Sequence, residues 1–170
     1  MPGVEIRDAG VADLDGLSAL EARSFASDRM ARRNLKRLIG RPSARLRVAA
    51  DEGGVHGYHL LLFREGTSVA RLYSLAVDDR KRGGGLGRRL LADAEVLAAR
   101  CRQRVLRLEV REDNLPAIRL YESLGYRLIG RHARYYAATA DALRYEKRLA
   151  GDRGGEDRSP AGASRRRRRS

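Results

Sequence analysis

The sequence contains one cysteine, Cys101, and only three lysines, Lys36, Lys81 and Lys147. It has no apolar run approaching the ~20 residues of a membrane-spanning helix. A single cysteine excludes an intramolecular disulfide. The missing apolar run excludes a helical span, so no membrane partner is expected. The start, Met1-Pro2-Gly3-Val4-Glu5, lacks a basic segment followed by an apolar one, and no secretory signal is expected there. No internal repeat is visible. Together these absences point to a cytoplasmic protein.

With so few lysines, arginine carries nearly all of the positive charge. There are 36 basic residues against 22 acidic ones in 170, a formal net charge of +14. From Gly151 onward seven arginines face Asp152, Glu156 and Asp157, which leaves +4 there and +10 on residues 1–150. That balance favours anionic partners and disfavours a polycationic substrate. Residues 151–170 hold no aliphatic side chain larger than alanine and include five consecutive arginines. They cannot bury enough surface to offset chain entropy, so a disordered tail is expected, solubilising or in contact with RNA or a ribosome. Residues 1–150 suffice for one globular domain.

Within that domain the periodicities alternate. Val4 to Arg7 reads as a strand, and Leu14, Leu17 and Leu20 form a helical stripe over Asp13–Glu21. A helix is expected over Ser27–Ile39, ended by Gly40-Arg41-Pro42. Arg45–Ala50 and Val55–Phe63 read as a hairpin, and Ser68–Val77 as a further strand. A basic, glycine-rich turn follows, then a helix carrying Leu86, Leu90, Leu91, Ala94 and Ala98 at helical spacing. Val105–Val110 is a strand with Leu106, Leu108 and Val110 on one face and Arg107 and Glu109 on the other. A helix over Pro116–Leu124 ends at Gly125, and Arg127–Ile129 and Ala142–Arg148 are late strands. The fold class is α/β, a mixed sheet with flanking helices.

The segment Arg82-Gly83-Gly84-Gly85-Leu86-Gly87, between a strand and a helix, suits an anion. Glycines let backbone amides approach a ligand closely, and the helix N-terminus adds partial positive charge. Arg80, Lys81, Arg88 and Arg89 surround it, so a pyrophosphate fits. A P-loop does not, because Arg88-Arg89 follows Gly87 where Lys and Ser or Thr are required. A dinucleotide fingerprint fails as well, with Arg88 at its third glycine position.

The same segment resembles the acetyl-CoA loop of the Gcn5-related N-acetyltransferases (GNAT superfamily), [Arg/Gln]-x-x-Gly-x-[Gly/Ala], with every fixed position filled. Asn114-Leu115-Pro116-Ala117-Ile118-Arg119-Leu120-Tyr121-Glu122-Ser123-Leu124-Gly125-Tyr126 is similar to that family's Asn-x-x-Ala-x-x-Leu-Tyr-x-x-x-Gly-[Phe/Tyr] element. Leu108-Glu109-Val110-Arg111-Glu112-Asp113-Asn114 and Arg131-His132-Ala133-Arg134-Tyr135-Tyr136 resemble the RimI-type ribosomal-protein-alanine N-acetyltransferases. The resemblance covers residues 68–148; the first half matches only in layout. It implies the GNAT acyl-CoA N-acyltransferase fold, acetyl-CoA as co-substrate without a metal, and transfer to a primary amine. The amine is the N-terminal α-amino group of a protein or peptide, with a small amine metabolite or an inactive CoA-binding accessory role as alternatives.

Amine acetylation needs a free lone pair on the amine and a proton for the leaving thiolate. Glu109 is the candidate base, acting through water, and the resemblance places the catalytic glutamate at the same position. The structural alternative is an ion pair with Arg107 or Arg111. The resemblance further implies that Tyr121 protonates the CoA thiolate and that Asn114 holds the pantetheine arm. It assigns backbone groups of Leu75, Ala76 and Val77 to the arm and the thioester oxygen, and Gly83 to Arg88 to the pyrophosphate, with Arg82 at the loop's head. Tyr135 and Tyr136 line the acceptor slot or pack their hairpin on the core. Glu21 is a second candidate for that slot, although helical acids are usually solvated. His56, His59 and His132 lack metal-ligand spacing, and His56 and His59 are expected on opposite strand faces. Cys101 is expected to be a buried apolar residue.

Overall fold

In the computed structural model, residues 3–26, 28–136 and 140–150 are described, the side chains of 134–136 excepted. The expected disorder of residues 151–170 and the expected roles of the Tyr135 and Tyr136 side chains lie outside the described residues. The chain runs β1 (Glu5–Asp8), α1 (Leu14–Ser24), α2 (Arg32–Leu38), β2 (Ala44–Asp51), β3 (Gly54–Phe63), β4 (Val69–Val77), α3 (Leu86–Arg100), β5 (Val105–Arg111), α4 (Leu115–Ser123), β6 (Arg127–Tyr136) and β7 (Ala140–Arg148). The strands form one sheet in the order β1-β2-β3-β4-β5-β7-β6. Among the described residues only β4 and β5 pair in parallel, and α3 is the crossover between them. Among the described residues no helix is long and apolar enough to cross a membrane.

Each sheet face buries its own core. On one face, Leu14, Leu17 and Leu20 of α1 and Leu35 of α2 pack on Leu46, Val48, Tyr58, Leu60 and Ala76. On the other, Leu91, Ala94 and Ala98 of α3 and Tyr121 of α4 pack on Leu61, Leu72, Leu106, Leu108 and Val110. Strand β4 contributes to both. Ala70 and Leu72 lie in the α3 core, yet Ala76 lies in the α1 core, although all three have even spacing. The cause is a register shift against β3: Leu61 pairs with Leu72 and Leu60 with Ser74, so Tyr73 is the extra residue of a bulge. An uninterrupted strand over 68–77 predicts no such exchange of faces.

Parallel pairing of β4 with β5 runs only from Val69↔Val105 to Leu72↔Leu108. Beyond it, Ser74 to Val77 pair with β3 alone, and Glu109 to Arg111 pair with β7 alone. The sheet is split at that point.

Two expected elements differ. The helix expected over 27–39 is confined to Arg32–Leu38. Asp28 has φ +58, and Ala31 is extended at the N-cap, because the chain turns to aim the Met30 N–H at Glu21. The strand expected over 127–129 continues to Tyr136, irregularly paired with β7 through two register shifts. Residues 127–133 are all exposed, so burial leaves no alternating signature there.

A polar cluster ties α3 to the sheet. The Asp93 carboxylate accepts a bidentate pair from Arg47, at 2.9 and 3.0 Å, and a 2.7 Å bond from His59 Nε2. His59 faces α3, while His56 bonds Asp51 in the β2–β3 turn at 2.6 Å. Burial alone would raise the Asp93 pKa, but hydrogen bonds from His59 and Arg47 outweigh it and hold the carboxyl well below the usual range. A depressed folded-state pKa contributes stability above the unfolded value and loses it as pH falls through the folded one. Asp93→Asn is therefore expected to cost about 2 kcal/mol at neutral pH, lowering the melting temperature by roughly 4–8 °C. Thermal melts across an acid series check this: the gap to the parent chain should narrow below about pH 4.

Candidate active site

The cradle begins where β4 ends. Asp78 is buried; its Oδ1 accepts the Arg80 N–H at 3.1 Å and caps a 3-10 turn over Asp79–Lys81. The guanidinium groups of Arg80, at 2.9 Å, and Arg23, at 3.1 Å, hold the same carboxylate well below the usual range. Two residues then require left-handed backbone, Gly83 with φ +84 and Gly85 with φ +79, and glycine supplies both without a Cβ penalty. Gly85 is the N-cap of α3, and Leu86 is buried to anchor it. The first helical bond runs from the Arg89 N–H to the Gly85 carbonyl, which leaves the N–H groups of Leu86, Gly87 and Arg88 without helical partners.

These groups line a cavity of about 420 Å³. Leu75, Ala76 and Val77 form its β4 wall, Lys81 to Arg88 its rim without Gly84, and Asn114, Pro116, Leu120 and Tyr121 its α4 wall. Gly84 is exposed and off the lining. Asn114 caps α4, its Oδ1 accepting the Ala117 N–H at 3.3 Å, so its amide N–H groups are the part left for a ligand. Donor amides, a helix N-terminus and cationic side chains make this cavity suited to a pyrophosphate.

A second cavity, of about 590 Å³, opens on the α1 side of the split sheet. Glu109, Arg71, Tyr73 and Ser74 form its floor, and Glu21, Phe25, Asp28 and Met30 its opposite wall. The two cavities share Ser24, Phe25, Leu75, Asn114 and Tyr121. Tyr121 is 8% exposed and stands at the junction, its ring edge-on to Tyr126 at 5.7 Å. Tyr126 in turn donates to Glu95, at 2.8 Å, and Lys147 bonds the same carboxylate at 3.1 Å. Tyr145 donates to Glu122 at 2.7 Å and fixes α4 against β7. The helix that carries Tyr121 is thus clamped on both sides.

Glu109 is paired, but with neither Arg107 nor Arg111. Its Oε1 accepts from Arg144, at 3.2 Å, and its Oε2 from Arg71, at 3.5 Å. Arg144 is its directly opposite residue on β7, and Arg71 lies diagonally on β4. Cross-strand neighbours are closer than residues two apart on one strand. Arg107 pairs with Glu146 instead, and Arg111 with Asp113. Each carboxylate oxygen of Glu109 still has a lone pair available to water or an amine.

Glu21 corrects the expectation of a solvated helical acid, being only 2% exposed. Its Oε2 accepts the Met30 N–H at 2.8 Å, and its Oε1 accepts the Tyr58 hydroxyl. Burial, and then the Glu21 charge, push the Tyr58 phenol far upward, so it stays a donor. Ser74 Oγ, 2.7 Å away, donates to the Tyr58 oxygen. Glu21 follows Leu14 and Leu17 at helical spacing, and that placement on the buried stripe was its one sequence signal. Cys101, expected to be buried, is partly exposed at the C-cap of α3.

Comparison with known proteins is consistent with this geometry. The model of a family described as Acetyltransferase (GNAT) family matches residues 13–126. A putative [ribosomal protein bS18]-alanine N-acetyltransferase of Bacillus subtilis is 30% identical over 139 residues, covering 81% of this chain and 91% of that protein. N-alpha-acetyltransferase RimI of Mycobacterium tuberculosis is 37% identical over 81 residues, 48% of this chain; the match spans about half of that relative, 49%. Among solved structures, the ribosomal-protein-S18-alanine N-acetyltransferase from Escherichia coli superposes with a TM-score of 0.78 at 25% identity, covering 91% of this chain and 97% of that one.

Proposed function

We propose that this chain, which belongs to the acetyltransferase (GNAT) family, moves the acetyl group of acetyl-CoA to the N-terminal α-amino group of a protein. The observation that carries the reading is the meeting of two cavities at Tyr121, one rimmed by phosphate-type donors and the other holding Glu109. Acetyl-CoA, the family's co-substrate, supplies an activated thioester carbonyl. The amides of Gly83 and of Gly85 to Arg88 hold its pyrophosphate, with Arg82 at the loop's head. Asn114 and the unpaired edge of Leu75, Ala76 and Val77 hold the arm and donate to the thioester oxygen. Glu109 takes the amine's proton through water, and Tyr121 gives one to the departing thiolate.

An α-amino group, with pKa ~7.7–8.0, needs far less help than a lysine at ~10.4. A base already bonded to two guanidiniums suits the easier task. The names of the similar proteins from B. subtilis and E. coli support a ribosomal-protein-alanine-like acceptor. Purified protein, acetyl-CoA and a peptide panel test the reading, with thiol release as the readout. Turnover of peptides with free N-termini, abolished when those termini are blocked, is the expected result. Turnover confined to small amines, or CoA binding with no turnover, overturns it.

A further inference from the structure

The acceptor cavity is bounded by the segment that leads into α2, and the charge changes sign across that boundary. Inside, Arg71 and Arg144 offset the Glu109 carboxylate and Arg111 pairs with Asp113, which leaves the carboxylates of Glu21, bonded only to neutral donors, and Asp28 to set the sign. Outside, between Asp28 and Asp51, the sequence has eight arginines or lysines and no acid. Arg47 belongs to the Asp93 cluster and Arg32 pairs with Asp15. Arg33, Lys36 and Arg41 are exposed, and among the described residues their charged groups have no hydrogen-bond or ion-pair partner. Leu35 alone of α2 is fully buried, so the outward surface of this helix is almost entirely cationic.

We infer that the outer face of α2 and the turn after it, centred on Arg33, Lys36 and Arg41, docks an acidic stretch of the acceptor protein just downstream of its N-terminus. The inference rests on the proposed N-terminal acceptor. Complementarity carries it: an ammonium end meets the carboxylate-lined cavity, and acidic residues leaving that cavity meet α2. Three or so extended residues, at ~3.3–3.6 Å each, match the ~10 Å length of this helix. Arginine-rich surfaces also bind nucleic-acid phosphates, but this one continues from Asp28 and Met30 at the wall of the acceptor cavity, and a chain that leaves that cavity from a bound N-terminus is polypeptide. The occupant is therefore assigned as acidic polypeptide.

Three peptides sharing their first residues, followed by a run of Glu, Gln or Lys, separate the possibilities. The Glu peptide should show a KM about tenfold below that of the Lys peptide at low salt, with similar kcat. The preference should collapse near ~1 M salt, where the Debye length falls to ~3 Å. It should also vanish in R33Q/K36Q/R41Q, while kcat on the Gln peptide, which reports an intact fold and active site, stays unchanged. Equal KM values for the three peptides, or a Lys preference, overturn the docking surface and leave the N-terminal reading standing; RNA binding to α2 in that case identifies the rival occupant. Failure of all three peptides to turn over removes the N-terminal reading, and the docking surface with it.

Discussion

Tyr121→Phe is expected to lower kcat by roughly 10²–10³ while leaving acetyl-CoA affinity within a few fold. The substitution removes one oxygen and keeps the ring, so the edge-on contact with Tyr126 and the packing against Leu72 and Leu108 survive. Tyr145–Glu122 and Tyr126–Glu95 still clamp α4. What disappears is the hydroxyl at the junction of the two cavities, the proposed source of the proton for the leaving thiolate. A hydroxyl held there donates to the sulfur only while the S–C bond breaks, so the loss falls on kcat. Single-turnover kinetics with isothermal titration of CoA check the split. A variant that keeps full kcat would assign the proton to solvent.

The second large effect is expected from Glu109→Gln: a drop of about 10² in kcat/KM near pH 7 that shrinks as pH rises through ~8. The sign follows from the amine. Below its pKa an N-terminus is mostly ammonium and needs a base; above it the neutral form is already abundant and the base matters less. Structural damage should be small. The Arg144 and Arg71 side chains left behind are 38% and 42% exposed, so water can solvate them, and surface pairs of this kind contribute ~0–1 kcal/mol. A pH–rate profile of both forms decides the point: a deficit constant across pH would make Glu109 a positioning group for Arg71 and Arg144 rather than the base.

Much of the cradle was legible because its determinants are consecutive. Gly83 and Gly85 need only their own φ angles, and Leu86, Leu90 and Leu91 announce α3 by spacing alone. The α4 element was legible for the same reason, with Asn114 as cap, Pro116 in the first turn and Gly125 at φ +90 just past the end. The acceptor side was not. The partners of Glu109 lie 38 and 35 residues away on strands whose register no local pattern states. The burial of Glu21 depends on Tyr58, 37 residues on, and on a turn at 28–31 that read as helix. The bulge at Tyr73 falls within an apolar stretch where either face is plausible. Contacts set by register and by turns between distant segments leave little trace in a one-dimensional pattern.

The short run of pairing between β4 and β5 has a consequence for traffic. At the gap two cavities abut, one holding Glu109 and the other rimmed by the start of α3 and by α4, with Ser24, Phe25, Leu75, Asn114 and Tyr121 common to both. Donor and acceptor can then be loaded together and meet head-on, with no carrier on the protein needed to pass the acyl group along. The backbone pairs that the sheet forgoes beyond Leu72 and Leu108 thus leave, in the proposed reaction, a corridor for both substrates.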